Sequence, residues 1–320
     1  MDLSIVIVNW NSIAYLREAI VSIYKYTRDL SFEIIVVDNA STDGGVRDLK
    51  DDFPMITVVE SRENLGFSRA NNLGYQHSSG TYLLFLNPDT KLVTPAINIM
   101  LGAIKSLPEP GVVGCKLLNS DFTVQTSCVQ TFPTITNQVL DVEYLRLRWP
   151  SCKLWRLGAL FSKTETPVEV DMVSGACLML KREVFEQVGL FSEEYFMYAE
   201  DLDLCYKVRR SGLTNYYIST SSVVHHGGKS SNQQNVSQWS VVMKFNSIFK
   251  FCVKTRGNVY GVAYRIAMGA SALIRLVLLT AMLGVRSSSS KAGALKSAVA
   301  KWIAVLKWSL GFGFLVSERR

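Results

Sequence analysis

Four short apolar runs in the first 90 residues constrain this chain more than any other feature. "LSIVIVNW", "FEIIVVDN", "ITVVE" and "TYLLFLN" are rich in β-branched residues and almost continuously apolar. Runs of this kind fit strands buried on both faces of a parallel sheet rather than strands with one wet face. Between them, Ser12 suits the cap of a helix running to about Thr27, and segments 68–77 and 95–107 supply two more helices. The β-α-β-α order predicts an α/β fold with a doubly wound, mostly parallel sheet, whose ligands bind beyond the carboxyl ends of the strands.

Polar residues collect at those ends: Asn9 after the first run, Asp38 and Asn39 with Asp43 after the second, Asn87 and Asp89 after the fourth. Asn and Asp favour the turn after any strand, but three strand ends converging on one edge point to a site. No G-x-x-x-x-G-K-[ST] loop occurs, and no G-x-G-x-x-G follows the first strand, so bound phosphates need another counter-charge. Asp89, in "LLFLNPDTKL", is a hard oxygen ligand. A Mg²⁺ or Mn²⁺ held by one or two carboxylates and by substrate phosphates asks little more of the protein, and Pro88 stiffens the turn that presents it.

The second half carries two further clusters. In "SEEYFMYAEDLDLCYKVRRSG" a loop leads into a helix from about Asp201 to Ser211, stopped by Gly212. Glu200 and Asp201 at its start either complement the helix dipole or do chemistry, with Asp201 as general base and Glu200 binding or orienting the acceptor. "VVHHGGKSS" holds two of the three histidines, and His225 at the end of a strand suits either a structural role or a second metal ligand. His77, near a helix end, reads as structural. Residues 120–163 have weak periodicity and read as an irregular, substrate-specific insertion.

The six cysteines are scattered singly, without metal-ligand spacing, as expected of buried reduced thiols in a cytosolic protein. "MDLSIVIVNW" has an acidic second residue and no basic stretch, so no secretion signal is expected. The net charge of +7 is uneven: residues 241–320 hold 13 Lys and Arg against one acid, Glu318, a balance of +12, and the first 240 residues carry −5. Basic tails often bind nucleic acid, but the long apolar segments of this one suit an anionic membrane surface better.

"VNWNS", "VVDNASTDGG", "NLGFSRANNLG", "FLNPDT", "SGACLMLKREVFEQVGLFSEEYFMYAEDLDLCYKVRRSG" and "VVHHGGKSS" follow one another in the order and spacing of family-2 glycosyltransferases. The chain most resembles the rhamnosyltransferase-type branch that builds bacterial cell-surface polysaccharides, over residues 3–257 and including the basic "FNSIFKFCVKTRG". The resemblance implies a GT-A fold, a nucleotide-diphosphate sugar donor, a divalent metal and inversion by direct displacement. It implies that Asp38 contacts the nucleotide base, that Asn9 and Asn64 line the same pocket, that Asp89 and His225 hold the metal, and that Asp201 is the base. Where many relatives have D-x-D this chain has N-P-D, a variant common in that branch, which removes one anionic ligand. No Q-x-x-R-W follows Asp201, which disfavours a processive synthase.

These readings divide the chain into a nucleotide-sugar half (1–118), an acceptor and catalytic-base half of the same domain (119–257) and basic, apolar C-terminal helices (258–320). In that tail Arg265 and Arg275 leave uncharged runs shorter than the ~20 residues that span a bilayer. Helices lying in the interface are expected, with Lys and Arg reaching out to water and Trp302 and Trp308 at headgroup depth; two ordinary packed helices are one alternative, and a single span by residues 266–285, at the cost of burying Arg275, is another. A lipid-linked or oligosaccharide acceptor, such as an undecaprenyl diphosphate glycan, and a peripheral location on the inner face of the cell membrane follow. dTDP-rhamnose is the expected donor by resemblance. A nucleotidyltransferase and a non-catalytic sugar-nucleotide-binding scaffold are the competing readings.

Overall fold

The computed structural model describes residues 1–161, 165–227, 236–285 and 292–312. Its first half alternates as the apolar runs require: β1 (Leu3–Asn9), α1 (Ile13–Tyr26), β2 (Phe32–Asp38), α2 (Val46–Asp52), β3 (Thr57–Glu60), α3 (Gly66–Gln76), β4 (Tyr82–Leu86), β5 (Thr90–Leu92), α4 (Ala96–Ser106) and β6 (Pro110–Leu118). Short elements follow: β7 (Val129–Gln130), α5 (Ile135–Val139), α6 (Glu143–Arg148) and α7 (Gly158–Phe161). Then come β8 (Val168–Val170), β9 (Met172–Val173), β10 (Cys177–Lys181), α8 (Arg182–Gln187), α9 (Glu200–Arg210), β11 (Thr214–His225) and three long helices, α10 (Val236–Arg256), α11 (Asn258–Val285) and α12 (Ala292–Ser309).

Among the described residues the main sheet has nine strands in the order β3-β2-β1-β4-β10-β6-β11-β5, with β8 also paired to β11. β1, β2, β3 and β4 run parallel, and β6 runs parallel to β11. β10 enters antiparallel between β4 and β6, and β5 and β8 pair antiparallel with β11. β1 is buried at every position, as strands covered on both faces should be. α1 starts one residue after Ser12, whose hydroxyl bonds to Asn9 Oδ1 instead of capping the helix. α9 ends before Gly212, which takes a φ of +92°.

By contact the chain forms two compact units: 1–132 with 146–196 and 200–230, and 133–145 with 197–199 and 231–320. The first holds the sheet. The second packs α10, α11 and α12 around Cys252, Tyr264, Met268 and Trp308, with Ile135 and Val139 of α5 against them.

Two expectations for the tail change. Trp308 is buried in that core and not at a surface. Arg265 and Arg275 turn inward: Arg265 donates to the Trp308 carbonyl at 2.6 Å, and Arg275 donates to those of Val139 and Asp141 at 2.9 and 3.2 Å and lies over the Trp302 ring. α11 is therefore one continuous helix, and its stretch Asn258–Leu283 is long and apolar enough to cross a membrane.

Candidate active site

Three groups of polar side chains gather at the carboxyl edge of the sheet. The first joins the ends of β1 and β2. Asn9, fully buried, donates to Asp38 Oδ1 at 3.2 Å and to Ser41 Oγ at 3.0 Å, and accepts from Ser12. It supports Asp38 from behind, having no surface with which to line a pocket. Asn39 donates to Asn64 Oδ1 at 2.9 Å and accepts from the Leu65 amide at 2.8 Å, while Asn64 Oδ1 also takes the Gly66 N–H at 3.0 Å. The two asparagines thus bracket the start of α3. Asp43 sits on the exposed part of the loop and accepts from the Ile13 N–H at the start of α1, where a carboxylate complements the helix dipole.

The second group is the turn after β4 with the end of β11. His225 Nε2 lies 3.3 Å from Asp89 Oδ1 and 3.4 Å from Asn87 Nδ2. Asp89 is almost wholly buried, its carbonyl accepts from the His226 N–H at 2.9 Å, and Thr90 pairs with His225 across β5 and β11. Asn87 Oδ1 is buried and has no hydrogen-bond partner among the described residues. Among the described residues no three His, Cys, Asp or Glu side chains converge. Two protein ligands and a spare amide oxygen suit a small divalent cation that takes its remaining ligands from phosphate and water.

The third group opens α9. Tyr198 and Ala199 take left-handed φ values of 67° and 66° before the helix begins at Glu200, a conformation that non-glycine residues adopt at a cost. Asp201 accepts from the Gly175 and Leu202 amides, both at 2.8 Å. Burial, and after it the adjacent Asp201 carboxylate, push the Glu200 carboxyl well above the ordinary carboxylate range, and its buried Oε2 has no partner among the described residues. A protonated Glu200 can donate as well as accept. Asp203, fully buried, takes the Ser192 hydroxyl and an ion pair from Lys207, fixing the loop before the helix.

One short turn joins the second and third groups. The Asn87 N–H donates to the Ala176 carbonyl at 3.0 Å, and the neighbouring Gly175 amide holds Asp201. A carboxylate fit to take a proton is thereby fixed beside a cluster fit to hold a cation. The strand-end pattern of the sequence places Asn9, Asp38, Asn39, Asp43, Asn87 and Asp89 on one edge; the bonds of Ser41 to Asn9 and of Gly175 to Asp201 come from the fold.

The model of glycosyl transferase family 2 matches residues 4–189. The chain belongs to that family. The N-acetylglucosaminyl-diphospho-decaprenol L-rhamnosyltransferase of Mycobacterium tuberculosis (strain ATCC 25618 / H37Rv) is 29% identical to it over 230 residues, 68% of this chain and 73% of that one. Rhamnosyltransferase WbbL of Escherichia coli (strain K12) is 23% identical over 235 residues, 66% and 82% of the two chains. This glycosyltransferase thus falls in the rhamnosyltransferase-like branch. Among solved structures, mannosyltransferase PcManGT from Pyrobaculum calidifontis in complex with GDP-Man and Mn²⁺ superposes with a TM-score of 0.58 at 20% identity, covering 96% of this chain and 86% of that one. GalNAc-T7 with UDP, GalNAc and Mn²⁺ gives 0.56 at 16% identity; the match covers 81% of this chain but about half (51%) of that one. At such identities the likeness is one of fold, and the glycosyltransferase has the GT-A architecture.

Proposed function

We propose that this glycosyltransferase is an inverting, non-processive enzyme that moves a sugar, L-rhamnose from dTDP-rhamnose as first choice, onto a hydroxyl of a polyprenyl-diphosphate-linked glycan in cell-surface polysaccharide synthesis. The observation that carries the reading is the turn 174–176, which ties Asp201 to the Asn87–Asp89 loop. Displacement with inversion at an anomeric carbon needs a base on the acceptor at one face of the sugar and charge stabilisation on the leaving diphosphate at the other, and one turn that holds both groups sets the distance across the sugar.

Asp201 takes the proton of the acceptor hydroxyl as its oxygen bonds to the anomeric carbon and the bond to the diphosphate oxygen breaks, inverting that carbon. The Gly175 and Leu202 amides fix the carboxylate in place. Neutral Glu200 orients the acceptor. Asp38, supported by Asn9, takes the nucleotide base, with the Asn39–Asn64 bracket beside it. Asp89 and His225 would hold Mg²⁺ or Mn²⁺, which when bound stabilises the charge that develops on the departing diphosphate.

The tail supports a lipid-linked acceptor. From Val259 to Met282 every exposed residue of α11 is uncharged, including Val259, Ile266, Ile274, Val277 and Leu278, because both arginines face inward. Such a face suits burial in the acyl boundary of a membrane, and the basic residues of the tail suit its anionic headgroups. A peripheral location on the cytoplasmic leaflet is the reading this face supports.

A panel of dTDP-, UDP- and GDP-sugars, assayed with Mg²⁺ or Mn²⁺ and a lipid-linked acceptor, tests the reading. Transfer from one donor, abolished by EDTA and by Asp201→Asn, is expected. Release of pyrophosphate from a nucleoside triphosphate would instead favour a nucleotidyltransferase, and donor binding without transfer a scaffold.

A further inference from the structure

The His225 ring is held from its far side, by a residue that no motif contains. Gln125 follows the hairpin closed by the Leu118–Val124 bridge, in which Phe122 takes a φ of +64° and the Asn119 N–H reaches the Thr123 carbonyl at 2.8 Å. Its Nε2 lies 2.6 Å from the main-chain carbonyl of His225, and its Oε1 lies 2.9 Å from His225 Nδ1.

These two contacts determine where the hydrogens are. A carbonyl oxygen only accepts, so the amide must turn its NH₂ towards it. The other end of the amide is then an oxygen, which also only accepts, so Nδ1 must carry the ring hydrogen. In the neutral ring Nε2 is then the nitrogen with the lone pair, and it is the atom that faces Asp89 Oδ1 at 3.3 Å and the Asn87 amide nitrogen at 3.4 Å. One glutamine therefore sets both the orientation and the tautomer of the ring, the task that an outer partner performs for metal-bound histidines in general.

We infer that Gln125 is the positioning residue of the cation site: it locks His225 as the Nδ1–H tautomer and aims Nε2 at the oxygen of Asp89. This rests on the metal reading proposed above. The same hairpin reaches the next histidine, with Ser120 Oγ 2.8 Å from His226 Nδ1, so the segment from 118 to 125 acts as a brace for the end of β11.

Two measurements on the full-length protein test it. Long-range ¹⁵N–¹H NMR at mildly alkaline pH reads the His225 tautomer in metal-free protein; Nδ1–H is expected in the wild type, a mixture in Gln125→Leu, and recovery of Nδ1–H in Gln125→Glu, which keeps the acceptor. Mn²⁺ binding by electron paramagnetic resonance, with and without dTDP, is expected to weaken at least tenfold in Gln125→Leu and less in Gln125→Glu. An Nε2–H ring in the wild type, or Mn²⁺ affinity unchanged in Gln125→Leu, overturns the inference. A wild type that binds no Mn²⁺ even with dTDP overturns the metal reading as well, which separates the two failures.

Discussion

The Asp201 carboxylate accepts the Gly175 amide at 2.8 Å, one residue away from the Ala176 carbonyl that receives the Asn87 N–H. Asp201 and the loop that carries Asp89 thus hang from the same two adjacent residues, Gly175 and Ala176. A disturbance at that turn should register as lost rate before it registers as lost fold.

Asp201→Asn keeps the shape but cannot take a proton at neutral pH, and its single amide oxygen can accept only one of the Gly175 and Leu202 N–H groups. kcat should fall by about 10²–10⁴-fold, with dTDP binding by calorimetry unchanged. A variant that retains most of its transfer activity excludes Asp201 as the base.

Gly175→Ala places a methyl group 3.1 Å from the Asp201 β-carbon and 3.4 Å from Oδ2. The carboxylate must give way by a few tenths of an ångström, so kcat should drop about tenfold with little change in thermal stability. Steady-state kinetics beside a melting curve separates the two effects.

Gly66→Ala should act on stability. Gly66 has a φ of +75°, and an added methyl group would meet the Phe196 carbonyl oxygen, which also accepts the Phe67 N–H at 2.7 Å. Strain and collision together should cost more than ~2 kcal/mol in denaturant unfolding.

Glu200→Gln should alter how stability depends on pH. The folded carboxyl titrates well above the ordinary range because it is buried, and secondarily because Asp201 is beside it; the unfolded chain titrates near ~4.3. Between those values the folded state holds a proton that the unfolded state lacks, so wild-type stability falls as pH rises through the window, by about 1.4 kcal/mol per pH unit. The glutamine variant lacks this loss and should gain on the wild type as pH rises. Parallel stability curves for the two proteins would count against a protonated Glu200.

On α11, Val277→Asp puts a charge on the exposed apolar face, whereas Arg275→Leu removes the donor to the Val139 and Asp141 carbonyls. Sedimentation with anionic vesicles should weaken at least tenfold for the first, since losing one buried apolar side chain costs about 1.5 kcal/mol or more. The second should keep vesicle binding and lose thermal stability.

The sequence disclosed what depends on local pattern. β1, β2, β3 and β4 follow from their apolar runs, and the convergence of Asp38, Asn39, Asn87 and Asp89 follows from the way parallel strands end. The support behind the site was hidden, because Asn9–Asp38 and Gln125–His225 are bonds across 29 and 100 residues. A scan of "CLMLK" finds a buried strand but not its direction, so the antiparallel course of β10 was not legible. In α11 the misleading quantity was linear spacing. At ~100° per residue, Arg265 and Arg275 stand only about 80° apart around the helix, so both face one side and leave the other free of charge.

β10 has a further consequence. It lies between β4 and β6 although about 90 residues separate it from β4. During synthesis the edge of β4 must wait, unpaired and apolar, until Lys181 has left the ribosome, since non-local pairing cannot begin earlier. An amino-terminal fragment ending near residue 118 would keep that edge open, and open edges recruit other chains. The amino-terminal part of this chain is therefore not a portable module: its sheet is completed by a strand that arrives only later in the sequence.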